Sequence, residues 1–334
     1  MANNNLEETK AQAVGAEVAA GGAALRDERG ATLDVGARAM SDGLNVKADA
    51  DTAMDAATGD VADAAGAAEP TGTAPAPAVF TVSGLKFAYD HGRVPIFDGL
   101  DVTIPEGQIT TLIGGNGCGK STLFNLLTKN LKPQAGSVHL RGGDVSALRL
   151  RDFAQLVAIV HQRNTAPGDL AVEKLVGYGR FPYHGMGSAA NTDEDERMVA
   201  WALEVTGLTE YAKRPVSALS GGQAQRVWIA MALAQGSDVL LLDEPTTYLD
   251  IRYQLDILHL VKRLNSEFGM TVIMVLHDVN QALRYSDNLV ALAGGKIIAQ
   301  GAPDDIITPD LLEQVYGVRL PVTAIDGKPF VLAV

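Results

Sequence analysis

Between residues 114 and 121 the chain reads Gly-Gly-Asn-Gly-Cys-Gly-Lys-Ser, a G-x-x-x-x-G-K-S pattern in which each residue type meets a need of polyphosphate binding. Glycines let a backbone curl with its N–H groups pointing inward. A helix starting at the end of the loop adds unpaired N–H groups and the positive end of its dipole. Lys120 supplies a compact charge for β- and γ-phosphates, and the Ser121 hydroxyl is placed to ligate Mg2+. Gly114, Gly115, Asn116, Gly117, Cys118, Gly119 and Thr122 complete the candidate cradle. A glycine-rich turn between strand and helix can be purely structural, but Lys-Ser at this offset argues for a nucleotide. Cys118 reads as a small loop residue, although its place beside a helix start could lower its thiol pKa.

A second candidate lies 123 residues beyond Lys120, where the apolar run Val239-Leu240-Leu241-Leu242 ends in Asp243-Glu244-Pro245. Open parallel sheets bind ligands at the carboxyl ends of their strands. Two carboxylates there can divide the work. Asp243 can hold Mg2+ through its water shell, as the acidic residue after such a strand does in phosphate-loop NTPases, while Glu244 orients or deprotonates an attacking water. An Asp-Glu pair alone would usually be a solvated turn; its pairing with the phosphate loop makes the catalytic reading the stronger one.

Leu219-Ser220-Gly221-Gly222-Gln223 does not belong to phosphate-loop enzymes in general. It resembles the signature motif of ABC-type ATPases. Other elements follow in that family's order: Tyr89 before the phosphate loop, Gln162 after Val157–Val160, Tyr248-Leu249-Asp250 after the acidic strand, and His277 after Thr271–Leu276. The resemblance spans about Val79 to the C-terminus and implies an α/β fold: a phosphate-loop, ABC-type nucleotide-binding domain. Its parts would be a mostly parallel core sheet, an antiparallel β subdomain and a helical subdomain carrying the signature.

The resemblance also implies roles. Tyr89 would stack on adenine through an exposed ring face. Gln162 would reach the metal or the attacking water, and His277 would contact the γ-phosphate and hold the water and Glu244 in line. Asp250 would connect two sites across a dimer, although by itself it reads as a helix N-cap. Ser220, Gly221, Gly222 and Gln223 would serve the nucleotide held by an opposite subunit. One chain then makes half a site, and ATP with Mg2+ would join two copies head to tail. Residues 161–185 and Pro245–Ile251 closely resemble ATPases of iron-siderophore (ferric chelate) importers, and cobalamin and haem importers share much of this pattern. Such a subunit works at the cytoplasmic face of the cell membrane through a separate permease, with a substrate-binding protein as indirect partner. Residues 163–187 are where the family docks a permease helix, and Phe181, Pro182 and Tyr183 would offer it an apolar face. A soluble ABC ATPase acting on ribosomes or DNA commonly carries two nucleotide domains or long coiled-coil insertions, and neither is seen here.

The elements that must position these residues begin near Val79, and the chain changes character there. Residues 1–78 are rich in Ala, Gly, Asp and Glu, with five basic against thirteen acidic side chains, and close on a Pro-rich stretch. Methyl-sized apolar groups bury too little to offset ordering entropy, so this segment reads as a disordered acidic extension. Residues 79–334 alternate apolar strands and amphipathic helices, as one α/β domain should. Phe80–Ala88 and Asp101–Ile104 suggest an antiparallel sheet, with Asp98-Gly99 and Pro105-Glu106-Gly107 as turns. Ile109–Ile113 leads into the phosphate loop and a helix over Lys120–Lys129. In all, 334 residues carry 27 Lys+Arg against 40 Asp+Glu, a formal charge of −13. That balance disfavours a broad nucleic-acid surface. One cysteine forms no intrachain disulfide, the first ten residues lack a signal-peptide pattern, and no run is long enough to cross a bilayer.

Overall fold

A computed structural model describes residues 77–89, 94–184 and 192–332. The expected acidic extension therefore lies outside the described residues, apart from its last two. The domain is built on a six-stranded sheet in the order β10-β9-β3-β8-β7-β6, with β3 (Ile109–Gly114), β6 (Val157–Val160), β7 (Val239–Asp243), β8 (Thr271–Val275), β9 (Asn288–Ala293) and β10 (Lys296–Gly301). All neighbours pair in parallel except β9 and β10. Successive side chains of a strand face opposite ways, and the central strands use both faces. Ile109, Ile113, Leu240, Leu242, Val272 and Met274 enter one core. Leu112, Val239, Leu241, Ile273 and Val275 enter the other. Strands covered on both faces are mostly apolar, which is why β7 and β8 are solid runs in the sequence; β3 adds the buried Thr110 and Thr111, whose hydroxyls are hydrogen-bonded to Asn288 and Ser286.

The second core is covered by α1 (Lys120–Leu127) and by a four-stranded antiparallel sheet ordered β2-β1-β4-β5. Its strands are β1 (Ala78–Phe87), β2 (Phe97–Pro105), β4 (Ala135–Leu140) and β5 (Gly143–Asp144). The antiparallel pair expected from the sequence is present. Asp98-Gly99, however, is not a turn. Both residues lie inside β2, where Leu100 and Asp98 pair with Leu85 and Lys86, leaving Gly99 as the extra residue of a bulge at φ +90°. A glycine accepts that geometry without a Cβ penalty. The helix after the phosphate loop stops at Leu127, two residues short of the expected end.

The first core is covered by helices. They are α3 (Val172–Gly177), α4 (Thr192–Val205), α5 (Gly221–Ala234) and α6 (Ile251–Phe268), joined by α9 (Pro309–Tyr316). In α6 the buried residues Ile257, Leu258, Val261 and Leu264 fall on one stripe, while Asp250 caps its start and Gly269, at φ +65°, ends it. Short helices α2 (Leu150–Leu156), α7 (Val279–Tyr285) and α8 (Pro303–Ile306), and a hairpin of β11 (Val322–Ile325) with β12 (Lys328–Val331), complete the fold.

A 3-10 segment, Tyr178–Tyr183, follows α3 and is held on α5 by close backbone approach. A Cβ on Gly179 would lie 2.1 Å from the Met231 carbonyl oxygen. Beside it the guanidinium of Arg180, almost wholly buried, donates to Asp195 at 2.7 Å and Glu194 at 3.2 Å, and to the Ala234 carbonyl at 3.1 Å. Gly179→Ala is therefore expected to lift this segment off α5 and destabilise the domain by about 1–3 kcal/mol, the usual range for overpacking. Urea denaturation followed by circular dichroism measures it.

Candidate active site

Strands β3, β8, β7 and β6 are parallel neighbours in that order, so the loops leaving their carboxyl ends line one edge of the sheet. Those loops carry the phosphate loop, His277, Glu244 and Gln162 respectively. Residues scattered over 164 positions of sequence thus meet along a single row, at the edge where open α/β sheets bind ligands.

The phosphate loop closes tightly. Gly119 adopts φ +113° as the N-cap of α1, and a Cβ there would meet the Phe97 ring at 2.8 Å. A Cβ on Gly114 would strike the Leu292 carbonyl oxygen at 2.4 Å and the Cys118 sulfur at 2.6 Å. No side chain caps α1, so its first-turn N–H groups stay available to an anion. Lys120 is only 5% exposed. Its ammonium donates to the carbonyls of Gly114 at 2.7 Å and Gly115 at 3.1 Å, with the Cys118 sulfur at 3.9 Å. Ser121 and Thr122 follow in the first turn of α1. The Thr122 hydroxyl lies 3.2 Å from the Tyr89 hydroxyl. The Tyr89 ring is 61% exposed and braced edge-on by Phe87 at 5.0 Å, so a face remains free for stacking.

Glu244 is the hub of the second half. Its carboxylate accepts from Gln162 Nε2, faces His277 Nε2 at 2.6 Å and accepts from the Thr247 hydroxyl at 3.2 Å. Its backbone lies at φ +50°, an unfavourable conformation for a side-chain residue, and more so before a proline. Strain of this kind gathers at functional sites. The sequence linked His277 to Glu244 but put Gln162 on the metal or the attacking water, so the Gln162–Glu244 bond is new; Thr247 it missed, although a hydroxyl three residues beyond a strand-end carboxylate was the available signal.

Asp243 has a different environment. One carboxylate oxygen, Oδ1, is buried without a hydrogen-bond partner among the described residues. Burial, reinforced by the adjacent Glu244 charge and opposed by His277, raises its pKa to about 6. An orphaned, partly buried carboxylate oxygen beside a phosphate cradle suits a bound divalent cation. No cluster of three or more His, Cys, Asp or Glu capable of holding a metal occurs among the described residues. Mg2+ takes one or two protein oxygen ligands and completes its shell with phosphate and water, so the Asp243 carboxylate is a fitting donor for it.

The signature residues stand apart. Ser220 is the N-cap of α5 in a capping box: its hydroxyl accepts from Gln223 N–H at 3.3 Å, and its own N–H donates to the Gln223 side chain at 2.9 Å. Gly221 and Gly222 form the first turn, and a Cβ on Gly222 would enter the Tyr253 ring of α6. No hydrogen bond joins Ser220–Gln223 to residues 114–122 among the described residues. Asp250 caps α6 by accepting from Tyr253 N–H at 3.2 Å, beside an exposed Tyr248 and Ile251.

Comparison with known proteins decides what this arrangement is. The family model described as ABC transporter matches residues 97–247. The chain is 51% identical over 238 residues to the iron(3+)-hydroxamate import ATP-binding protein FhuC of Bacillus subtilis, covering 71% of this chain and 88% of that protein. It is 43% identical over 256 residues to the ferric enterobactin transport ATP-binding protein FepC of Escherichia coli, covering 76% and 94% respectively. The chain belongs to the ABC transporter ATPases. Among solved structures, this ATPase is similar to the ATP-binding cassette MJ0796 in a dimeric, post-hydrolysis state bound to ADP and Pi, with a TM-score of 0.57 and 27% identity, over 67% of this chain and 98% of that one. No helix of the described residues is long and apolar enough to cross a membrane.

The Asp243 environment gives this ATPase a testable pH signature. A carboxyl whose folded pKa is raised from 3.8 to about 6 disfavours the native state progressively above pH ~4, and the cost levels off above about 6. Asp243→Asn removes that cost. Without Mg2+ the variant should be more stable than wild type by about 1–2 kcal/mol at pH 8, a figure discounted for solvent screening, and the gain should shrink as pH falls below 6. Thermal melts from pH 5 to 8 measure it.

Proposed function

We propose that this chain is the ATP-hydrolysing subunit of an importer for iron-siderophore complexes, with residues 79–334 as its ATP-binding domain and residues 1–78 as an extension to it. The observation that carries the hydrolytic reading is Glu244 held between Gln162 and His277 at the sheet edge, next to the orphaned oxygen of Asp243. The cargo rests on the similarity to FhuC and FepC, whose names give ferric hydroxamate and ferric enterobactin.

In this reading the phosphate loop, Gly114 to Thr122, holds the β- and γ-phosphates. Lys120 turns from its loop carbonyls to the phosphate oxygens, and Tyr89 stacks on the adenine. Ser121, Asp243 and Gln162 would hold Mg2+, which supplies charge neutralisation of the phosphate oxygens and orientation of the leaving group. Glu244 takes a proton from the attacking water as its oxygen bonds to the γ-phosphorus and the bond to the bridging oxygen breaks. His277 keeps Glu244 and that water in line.

The half-site character of the chain supports a dimer. Ser220, Gly221, Gly222 and Gln223 present a helix start to the nucleotide of a second copy, and Asp250 lies where the two sites would communicate. The permease surface is proposed at the 3-10 segment, where Phe181 is 59% exposed and stacked on Tyr178 at 4.9 Å. Pro182 beside them is half-buried, and its carbonyl is fixed by Arg151 and Gln155 of α2. Tyr183 serves differently from its neighbours, lying under the Arg180 guanidinium at 4.0 Å. Residues 185–187 of the expected docking segment lie outside the described residues.

Glu244→Gln tests the mechanism. ATP affinity should stay within about threefold of wild type while turnover falls by on the order of a hundredfold or more, since the lost group acts on water and not on the phosphate cradle. Retained turnover would remove Glu244 from the role. For the cargo, a tagged chain recovered from detergent-solubilised membranes should bring down a polytopic permease, and reconstitution with a ferric chelate-loaded binding protein should stimulate hydrolysis. Stimulation only by cobalamin- or haem-loaded protein would move the cargo to those classes.

A further inference from the structure

Helix α9 ends where the phosphate loop begins. Leu311, Leu312 and Val315 bury one face of it in the core, Thr308 caps its start, and Gly317, at φ +75°, ends it. Its last turn comes up behind the phosphate loop, so that a Cβ on Gly115 would sit 3.3 Å from the Val315 carbonyl oxygen. The next residue, Tyr316, turns its hydroxyl inward. That oxygen is buried and has no hydrogen-bond partner among the described residues.

The groups around it come from two loops. The Gly114 N–H approaches without reaching hydrogen-bond geometry, and Cys118 and Asp278 bear on the same oxygen. Burial above all, opposed by the nearby Gly114 backbone and reinforced by Cys118 and Asp278, raises the phenol to about 12, so it is neutral. Asp278 directly follows His277 and caps α7 by accepting from Asn280 and Gln281 N–H at 2.8 and 3.0 Å. The Asn280 side chain in turn clasps the Val331 backbone, donating to its oxygen at 3.0 Å and accepting from its N–H at 2.8 Å. The outer faces of the phosphate loop and of the His277 turn thus both rest on the segment from α9 to β12.

A buried hydroxyl without a partner costs stability that a phenylalanine would spare. Nothing in the packing of α9 needs the oxygen. We infer that Tyr316 is a positioning residue of the ATP site, its ring backing the phosphate loop and its hydroxyl spacing that loop from the turn that carries His277. Small displacements between reacting groups cost rate steeply, so the spacing bears on turnover more than on affinity. The inference rests on the roles proposed above for the phosphate loop and His277.

The test compares full-length wild type, Tyr316→Phe, Tyr316→Leu and Glu244→Gln by melting temperature, ATP affinity and steady-state hydrolysis. Tyr316→Phe should melt at or above the wild-type temperature and keep KM within about twofold, yet lose about threefold to tenfold in kcat. Tyr316→Leu, lacking the ring, should also weaken ATP binding, and phenylalanine at 316 should restore that affinity without restoring kcat. Wild-type kcat in Tyr316→Phe, with Glu244→Gln inactive, would overturn the inference and leave the hydrolytic reading standing. A fall in kcat that tracks a fall in melting temperature would also overturn it, as a packing effect. An active Glu244→Gln would instead sink the base assignment while the Tyr316 comparison remained readable through its own kcat.

Discussion

Two adjacent carboxylates at the end of one buried strand set the terms for the rest of this site. Asp243 and Glu244 leave β7 together, and like charges so close in a partly desolvated place are unfavourable unless something answers them. The protein answers Glu244 from its own neighbouring strands, with Gln162 beyond β6, His277 beyond β8 and Thr247 in the following turn. Asp243 receives no such company, and its Oδ1 stays orphaned. The division has a consequence for chemistry. One carboxylate is oriented by fixed partners, which suits the proposed action on water, and the other would be satisfied by the proposed cation arriving with its ligand. The left-handed backbone at Glu244 is what turns two neighbouring residues toward these different tasks.

The two-core architecture explains how a loop-borne site is kept rigid. Each central strand sends alternate residues into opposite cores, so the row of loops at the carboxyl edge cannot shift without disturbing both. The Phe97 ring from the antiparallel sheet closes on Gly119 from one side, while α9 backs Gly115 from the other. Away from the site, the Arg180 network ties the Tyr178–Tyr183 segment to α4 and α5 through charge-assisted bonds from a buried guanidinium. Removing the partners of a buried charge is far costlier than breaking an exposed pair. That segment is therefore held firmly to α5, the helix that Ser220 begins.

Much of this was legible in the sequence, because the informative features were of kinds that sequence records well. Solid apolar runs marked the doubly covered strands β7 and β8, and fixed offsets marked the phosphate loop, β3 before it, and Glu244. What escaped was encoded by geometry. Asp98-Gly99 has the composition of a turn, but cross-strand pairing with β1 keeps it inside β2 and uses the glycine for a bulge. Strand β4 opens on Ala-Gly-Ser and alternates only over Ser137–Leu140, too short a signal to mark it, and the exposed β11 carries no clear alternation. Tyr316 lies in an ordinary-looking stretch, and only the folded chain brings its helix behind the phosphate loop.

The signature serine illustrates why one chain stops short of a complete site in the proposed assembly. Ser220 already spends its hydroxyl as acceptor on the Gln223 N–H, and Gln223 returns the bond to the serine backbone. The serine's own O–H donates to the Tyr253 hydroxyl at 3.4 Å, so what the capping box leaves over is the N–H groups of Gly221 and Gly222, donors at the positive end of α5. No hydrogen bond reaches them from the phosphate loop of the same chain among the described residues, and in the proposed assembly they would meet an anion held by the other copy. Gly222 further fixes where that anion must lie, because the Tyr253 ring occupies the space its Cβ would take and holds α5 against α6, whose N-cap is Asp250. In the proposed assembly a triphosphate seated on one phosphate loop would meet its remaining donors on the other subunit. ATP binding and subunit contact would then be a single event, and loss of the γ-phosphate would remove the ligand that joins them.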